Sequence, residues 1–237
     1  MMTQPASNPS AERPAGASGG AARLFVQFEF LRLDERFHLL QPNEKLVARQ
    51  EFLSAFEPFQ RTWPFFKAYS LHGLRADSDL LIWRMNESLE LIQNSSEHLR
   101  TYGAGKYLVP SHSYLGLASA SPSPAEPDGQ AAPKHLFLRV VVRGPDWISL
   151  AAPQRQALAA EESGIESSRP SVRTVSFEGF GGEGDFLLQA HLTDAPLEFA
   201  DLARELRQAR SARLVSAESQ VFPCIYKDIR DIVETFA

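Results

Sequence analysis

The stretch SASPSPAEPDGQAAPK, Ser119 to Lys134, decides how the rest of the chain divides. Four of the sixteen prolines fall within it. Each fixes its own φ and removes a backbone donor, so neither a strand nor a helix can run through the segment. It reads as a linker, and the sequence on its two sides shows the same order of elements.

Before the linker, LFVQFEFLRL (Leu24 to Leu33) sets Val26, Phe28 and Phe30 against Gln27 and Glu29, the period of two of a strand. Residues 43–60 place Leu46, Leu53 and Phe56 at helical spacing, with Asn43 as the expected N-cap and Pro58 near the end. PFFKAYSLHGL, ending at Leu74, and DLLIWRM, Asp79 to Met85, flank the turn residues GLRADSD and read as a hairpin. A helix from Asn86 to about Leu99 and a strand from Ser113 to Ala118 complete the order β-α-β-β-α-β, a ferredoxin-like unit.

After the linker the order recurs. Strands are expected at 135–142 (HLFLRVVV), 171–180, 185–193 and 219–227, helices at 152–163 and 196–210, and Ile229 to Ala237 as a short outer helix. A single unit covers one face of its sheet with helices and leaves the other bare. Two units bury those faces by closing together. The expected class is therefore α+β: two ferredoxin-like repeats, 23–118 and 135–237, packed sheet to sheet as an α+β barrel.

Composition bounds the function classes. The first 22 residues are rich in Pro, Ser, Ala and Gly, lack the apolar run of a secretory signal, and read as a disordered tail. The single cysteine, Cys224, allows no internal disulfide, which agrees with a cytoplasmic protein. A net charge of −5, with Lys and Arg scattered, gives no general attraction to nucleic acid or anionic lipid. No apolar run approaches the roughly 18 to 20 residues of a membrane span, and no zinc spacing, Walker loop or dinucleotide glycine fingerprint occurs.

Four stretches carry a resemblance. YSLHGLRADSDLLIWRMNESLELIQ, Tyr69 to Gln93, matches a G-x-x-x-D-x-D-h-h-h-W signature (h apolar) through Gly73, Asp77, Asp79 and Trp83. GPDWISLAAPQRQALAAE, TDAPLEFADLARELRQARSARL and VFPCI follow in the second half. Taken singly, Trp83, Trp147 and Phe222 are residues that fill any core. In this order and spacing, the chain resembles the chlorite dismutase and coproheme decarboxylase family.

The resemblance implies a haem or coproheme cleft in the second half, a porphyrin-type ligand, and a homo-oligomer, commonly a ring of five. The family's two best-known activities split chlorite into chloride and dioxygen, and decarboxylate coproheme oxidatively to haem. Both use iron held by one imidazole, and the matching helix here reads APQRQALAAEESGIESS. The ligand position falls at Glu161, Glu162 or Ser163, and no histidine lies between His135 and His191. A carboxylate or hydroxyl is a different, generally weaker axial donor than imidazole.

The resemblance also bears on other positions. Arg139 stands where coproheme decarboxylases carry a radical-forming tyrosine. Arg143 matches a lysine facing a propionate and could pair a carboxylate bidentately. Arg173 lies within one residue of the distal arginine of chlorite-splitting members, and a one-residue slip would turn it to the other sheet face. Ser219 matches a serine that contacts a propionate. His191 is the candidate replacement for the missing ligand. Two functions remain open: a haem- or coproheme-associated oxidoreductase nearest the coproheme branch, and a binding or structural paralogue without redox chemistry.

Overall fold

A computed structural model describes residues 23–118, 132–180, 186–216 and 219–236. The tail expected over 1–22 and residues 119–131 of the expected linker lie outside the described residues. The strands are β1 (Leu24–Leu33), β2 (Phe65–Ser70), β3 (Leu80–Asn86), β4 (Leu108–Ala118), β5 (His135–Val142), β6 (Arg173–Gly179), β7 (Phe186–Thr193) and β8 (Gln220–Tyr226). The helices are α1 (Pro42–Thr62), α2 (Leu89–Thr101), α3 (Pro145–Ser149), α4 (Ala152–Ser167), α5 (Pro196–Leu206) and α6 (Ile229–Glu234).

The eight strands form one closed barrel in the order β1, β3, β2, β8, β5, β7, β6, β4, and β4 pairs back onto β1. The fold is α+β. Each half contributes a four-stranded antiparallel sheet, and the halves join at two seams. Ser70 lies opposite Ile225 at one seam, and Gly116 lies opposite Gly179 at the other. At Gly116 a Cβ would stand 2.8 Å from the Glu178 carbonyl oxygen, so the second seam closes only because no side chain is there.

Strand alternation fills the barrel. Val26, Phe28 and Phe30 of β1 point inward into the cluster of Trp83, Leu138, Phe177, Leu188 and Phe222, with Phe28 stacked on Trp83 at 4.9 Å and Phe30 tilted against Phe222 at 4.2 Å. The intervening residues face the helices.

Helix α1 corrects two expectations. It starts at Pro42, not after Asn43: Gln41 is the N-cap, and its backbone N–H donates to Glu44 Oε2 at 2.8 Å. Proline suits the first helical position, where no intrahelical partner for an N–H exists. Its buried face is Ala48, Phe52, Ala55 and Phe56, whereas Leu46 is 58% exposed. Pro58 sits inside the helix, which continues to Thr62. Strand β4 begins at Leu108, before the expected Ser113, and α5 ends at Leu206, where a 3-10 turn over Arg210–Leu214 follows. At the C-terminus, α6 returns to the first half and buries Ile229, Ile232 and Val233 in the cluster that holds Phe52 and Phe56.

Candidate functional site

The second half is covered by α4 and α5 in different ways. Helix α5 is amphipathic and seats Phe199, Leu202 and Leu206 in an apolar cluster with Val172, where Phe199 stacks on Phe137 at 4.0 Å. Along the sixteen residues of α4 the one buried residue is Glu162. An isolated buried carboxylate is costly, so its partners define the site.

Two segments supply those partners, and a third braces one of them. Arg143, just past β5, donates to Glu162 Oε2 from Nη2 at 3.0 Å and to Oε1 from Nη1 at 3.4 Å. The hydroxyl of Ser211, in the 3-10 turn, donates to Glu162 Oε1. The Arg143 guanidinium also lies over the Trp147 ring at 4.0 Å, which fixes the fork from its other side. Glu162 is 5% exposed and Arg143 is 7% exposed, so this is an internal ion pair.

One turn further along α4, Glu166 faces the same floor. Its Oε1 accepts from Gln189 Nε2 of β7 at 2.9 Å, and Gln189 Oε1 accepts from Arg139 Nη1 of β5 at 2.9 Å. Burial, followed by the negative charge of Glu162, pushes the Glu166 carboxyl up to about 7. Burial lowers the Arg139 guanidinium from its ordinary value. A cavity of ≈ 290 Å³ opens beside Glu166, between α4 and β6, and is also lined by Ser163, Ser167 and Thr174.

His191 is on the same outward face of β7, but beneath α5. It is fully buried, its Nδ1 pairs with Thr174 Oγ1 at 2.9 Å, and its ring lies 5.2 Å from Phe199. Its Nε2 is buried without a partner. Desolvation, with Arg139 adding repulsion, lowers its pKa to about 3, so the ring is neutral.

The remaining candidates separate. Glu161 is at the rim, where its carboxylate accepts from the Arg210 backbone at 3.1 Å and from Arg210 Nε at 2.6 Å. Ser163 is exposed and lines the cavity. Ser219 Oγ accepts from the Val142 backbone N–H at 2.9 Å and so holds the end of β5. Arg173 shares the strand face of Val175 and Phe177, which point into the barrel, and pairs with Leu192 of the barrel core. Thr174 and Ser176 of β6 alternate to the outer face that carries His191 and Gln189. Arg173 therefore does not join the cluster under α4.

The sequence singles out Arg143 as a propionate partner and Glu162 as one of three positions where the ligand histidine is missing; the structure pairs the two with each other. The sequence does not single out Glu166, Gln189 or Ser211. Two of these had a signal: Glu166 is four residues after Glu162 on one helix face, and Gln189 alternates in step with His191.

A model of the chlorite dismutase family matches residues 45–227. The chain belongs to that family. It is 26% identical over 161 residues to a coproheme decarboxylase from Mycolicibacterium smegmatis, covering 65% of this chain and 69% of that protein. A mutant chlorite dismutase from Candidatus Nitrospira defluvii superposes with a TM-score of 0.78 at 16% identity, over 92% of this chain and 97% of that one. Chlorite dismutase from the same organism in complex with imidazole gives a TM-score of 0.76 at 16% identity, over 92% and 96% of the two chains. At that identity the likeness shows the fold.

The residues present do not suit an imidazole-held iron. Of the three positions at which the family's ligand histidine could fall, only Glu162 points at the sheet, and Arg143 and Ser211 already hold its carboxylate. His191 offers a neutral nitrogen, but one enclosed under Phe199. Among the described residues, no group of three or more His, Cys, Asp or Glu side chains is placed to hold a metal ion, and no helix is long and apolar enough to cross a membrane.

Proposed function

We propose that this protein is a binding or structural member of the chlorite dismutase family without imidazole-ligated haem chemistry. The observation that carries this reading is the Arg143–Glu162 pair. At the position where the family would present an imidazole, the chain presents a carboxylate, and its counter-ion is the arginine otherwise expected to meet a propionate. A buried carboxylate already neutralised in this way has no reason to ligate iron. Freeing it would strand Arg143 in a site that is nearly inaccessible to water. Replacement of the expected tyrosine by Arg139 points the same way. The homo-oligomer, a ring of five by resemblance, and the cytoplasmic location belong to the same reading.

Titration with coproheme, followed by absorbance in the Soret region, tests it. Wild type is expected to show no five-coordinate imidazole spectrum, and Glu162→His is expected to acquire one. Tight imidazole-type binding by wild type overturns the proposal and points to His191. Light scattering at micromolar concentration checks the assembly, and a mass of 26.3 kDa, that of one chain, would contradict it.

The second reading, a haem- or coproheme-associated oxidoreductase, is favoured by one observation. Arg139 keeps donors available beside the cleft, as a porphyrin carboxylate would require. Imidazole-type binding by wild type would restore this reading.

A further inference from the structure

We infer that the groove between α1 and α2, on the first half, is the surface on which a second copy of this chain docks through its own α1, across a two-fold axis. The inference rests on the homo-oligomer of the reading above and gives that assembly a contact surface, remote from the floor under α4.

Three observations meet at this place. The first is shape. A cavity of ≈ 950 Å³ opens between the two helices; its α1 wall runs from Leu46 to Ala55, and His98 and Tyr102 of α2 stand opposite. A second cavity of ≈ 330 Å³ shares Val47, Glu51 and Lys106 with the first and carries the groove on to Asn43 and Leu40. From Asn43 to Ala55 a helix rises roughly 20 Å, so the groove is long enough to take a helix laid along it. Its walls are held at a fixed spacing. Gly103 lets the turn after α2 press onto Ala48 of α1, where a Cβ would collide with the carbonyl oxygen.

The second is apolar surface. Leu46, Val47 and Tyr102 all line the groove and are 58%, 56% and 45% exposed. Single exposed apolar residues are ordinary, but a row of them along one groove marks a contact surface. Helix α1 is apolar on two sides: Phe52 and Phe56 face the core, and Leu46 and Val47 face outward. A helix apolar on two sides calls for two partners. The chain itself supplies only the inner one among the described residues. Leu46 and Val47 project beside a hollow, so knob and hole lie on the same patch, and a two-fold axis makes such a patch complementary to itself.

The third is charge. Glu51 and Lys106 line both cavities, and neither side chain has an ion-pair partner among the described residues. One unpaired anion and one unpaired cation balance, so a strongly acidic or strongly basic partner gains nothing here. A second copy turned about a two-fold axis matches them. Glu51 of each copy meets Lys106 of the other, which gives two equal ion pairs at the rim of an apolar seam. A ring joins two different patches, whereas this contact joins one patch to itself. It therefore gives an even number of chains whether or not a ring also forms.

Light scattering of the full chain at micromolar concentration, with analytical ultracentrifugation for the dissociation constant, tests the contact. Wild type should have a mass that is an even multiple of 26.3 kDa. Val47→Glu puts a charge into the seam and should halve that mass; because Val47 is exposed, the far-UV circular dichroism should not change. Glu51→Lys alone and Lys106→Glu alone each set like charges opposite one another, and each should weaken association by at least about tenfold. An equimolar mixture of those two variants should recover it, since each supplies the charge that the other lacks. Three results would each overturn the inference: an odd number of chains in wild type, an unchanged mass for Val47→Glu, or a mixture that associates no better than its components. Five chains would uphold the homo-oligomer of the reading above and remove this contact, and one chain would remove both. The Soret titration reads the haem part of that reading separately.

Discussion

The two halves of the barrel repeat one order of elements and each puts an arginine on the outer face of its sheet, Arg84 fully buried and Arg139 partly so, yet they close over it differently. In the first half Arg84 of β3 is fully buried and meets Gln27 and Glu29 of β1 and Ser96 of α2. Around that network Phe52, Phe56, Phe66, Ile82, Leu99 and the α6 residues form a continuous apolar shell. In the second half the apolar cluster outside the barrel is small, Val172, Phe199, Leu202 and Leu206, and α4, whose one buried residue is Glu162, adds only the partly buried Ile165 to it. The first half is built as scaffold. The second keeps a polar seam beneath one helix, which is what a site needs and a core does not.

The largest expected effect breaks the scaffold side of this comparison. Phe52→Ala removes a fully buried ring that packs on Phe56, and should cost about 3–5 kcal/mol of unfolding free energy. Because β1 and β4 of that half also close the barrel, denaturation should stay cooperative, with one urea transition by far-UV circular dichroism and by tryptophan fluorescence. Two separated transitions would show that the halves are independent bodies.

Breaking the seam comes next. Glu162→Ala leaves Arg143 buried with, among the described residues, only the Trp147 ring as side-chain partner and should cost about 3 kcal/mol, the low end for a broken buried pair. Replacing both members, Arg143→Met with Glu162→Leu, should recover most of that loss, since apolar contacts need no counter-ion. A double-mutant cycle from urea midpoints measures the coupling, which Phe52→Ala should not share. Additive losses would mean that the pair is not the internal lock its geometry describes.

What the sequence made legible follows this same division. Alternation in LFVQFEFLRL and HLFLRVVV and the proline-rich break between the halves suffice for barrel strands, because a one-residue slip would turn Phe28 or Leu138 out of the core. The face of α1 was less legible. Leu46 and Phe56 both look apolar in sequence, and only the position of the sheet selects Ala48 and Phe52 over Leu46. The site was legible as residue types but not as pairings. Arg143 and Glu162 are nineteen residues apart, and nothing in a linear pattern says that a cation on a strand end neutralises a carboxylate on the next long helix. For Arg173 the sequence leaves the register open by one residue, and only the strand pairing puts it on the barrel face.

Acidity sharpens the comparison inside the second half, because its two titrating groups act in opposite directions. Glu166 keeps its proton to about pH 7 when folded and to about 4.5 when unfolded. Between those values the folded state binds more protons, so this stabilisation is fully present below pH 4.5 and is lost as pH rises through 7. His191 titrates near 3 when folded against 6.5 when unfolded, so its contribution is present above pH 6.5 and is lost as pH falls toward 3. Glu166→Gln should therefore be more stable than wild type at pH 8, by on the order of 1–2 kcal/mol, and the gain should vanish near pH 5. Urea midpoints at the two pH values check it, and an equal gain at both would remove Glu166 as the cause.

The smallest expected effect separates floor from frame. Ser219 sits near Arg143, where resemblance suggests a ligand contact, but its Oγ is already used: it accepts from the Val142 N–H at 2.9 Å at the last residue of β5. That bond fixes the strand end from which Arg143 departs, and the Arg143 backbone then bridges to Val215. Ser219→Ala removes one neutral, partly buried hydrogen bond, worth about 1 kcal/mol. The Arg143–Glu162 pair should survive, because Glu162 remains anchored by Ser211 and Arg143 remains stacked on Trp147. Losses from Ser219→Ala and Glu162→Ala, measured by urea midpoints, should accordingly add within about 0.5 kcal/mol. If the two couple by more than about 1 kcal/mol, the bond from Val142 to Ser219 positions Arg143 for Glu162. The end of β5 would then belong to the buried pair, and the line between frame and site would have to move to include Ser219.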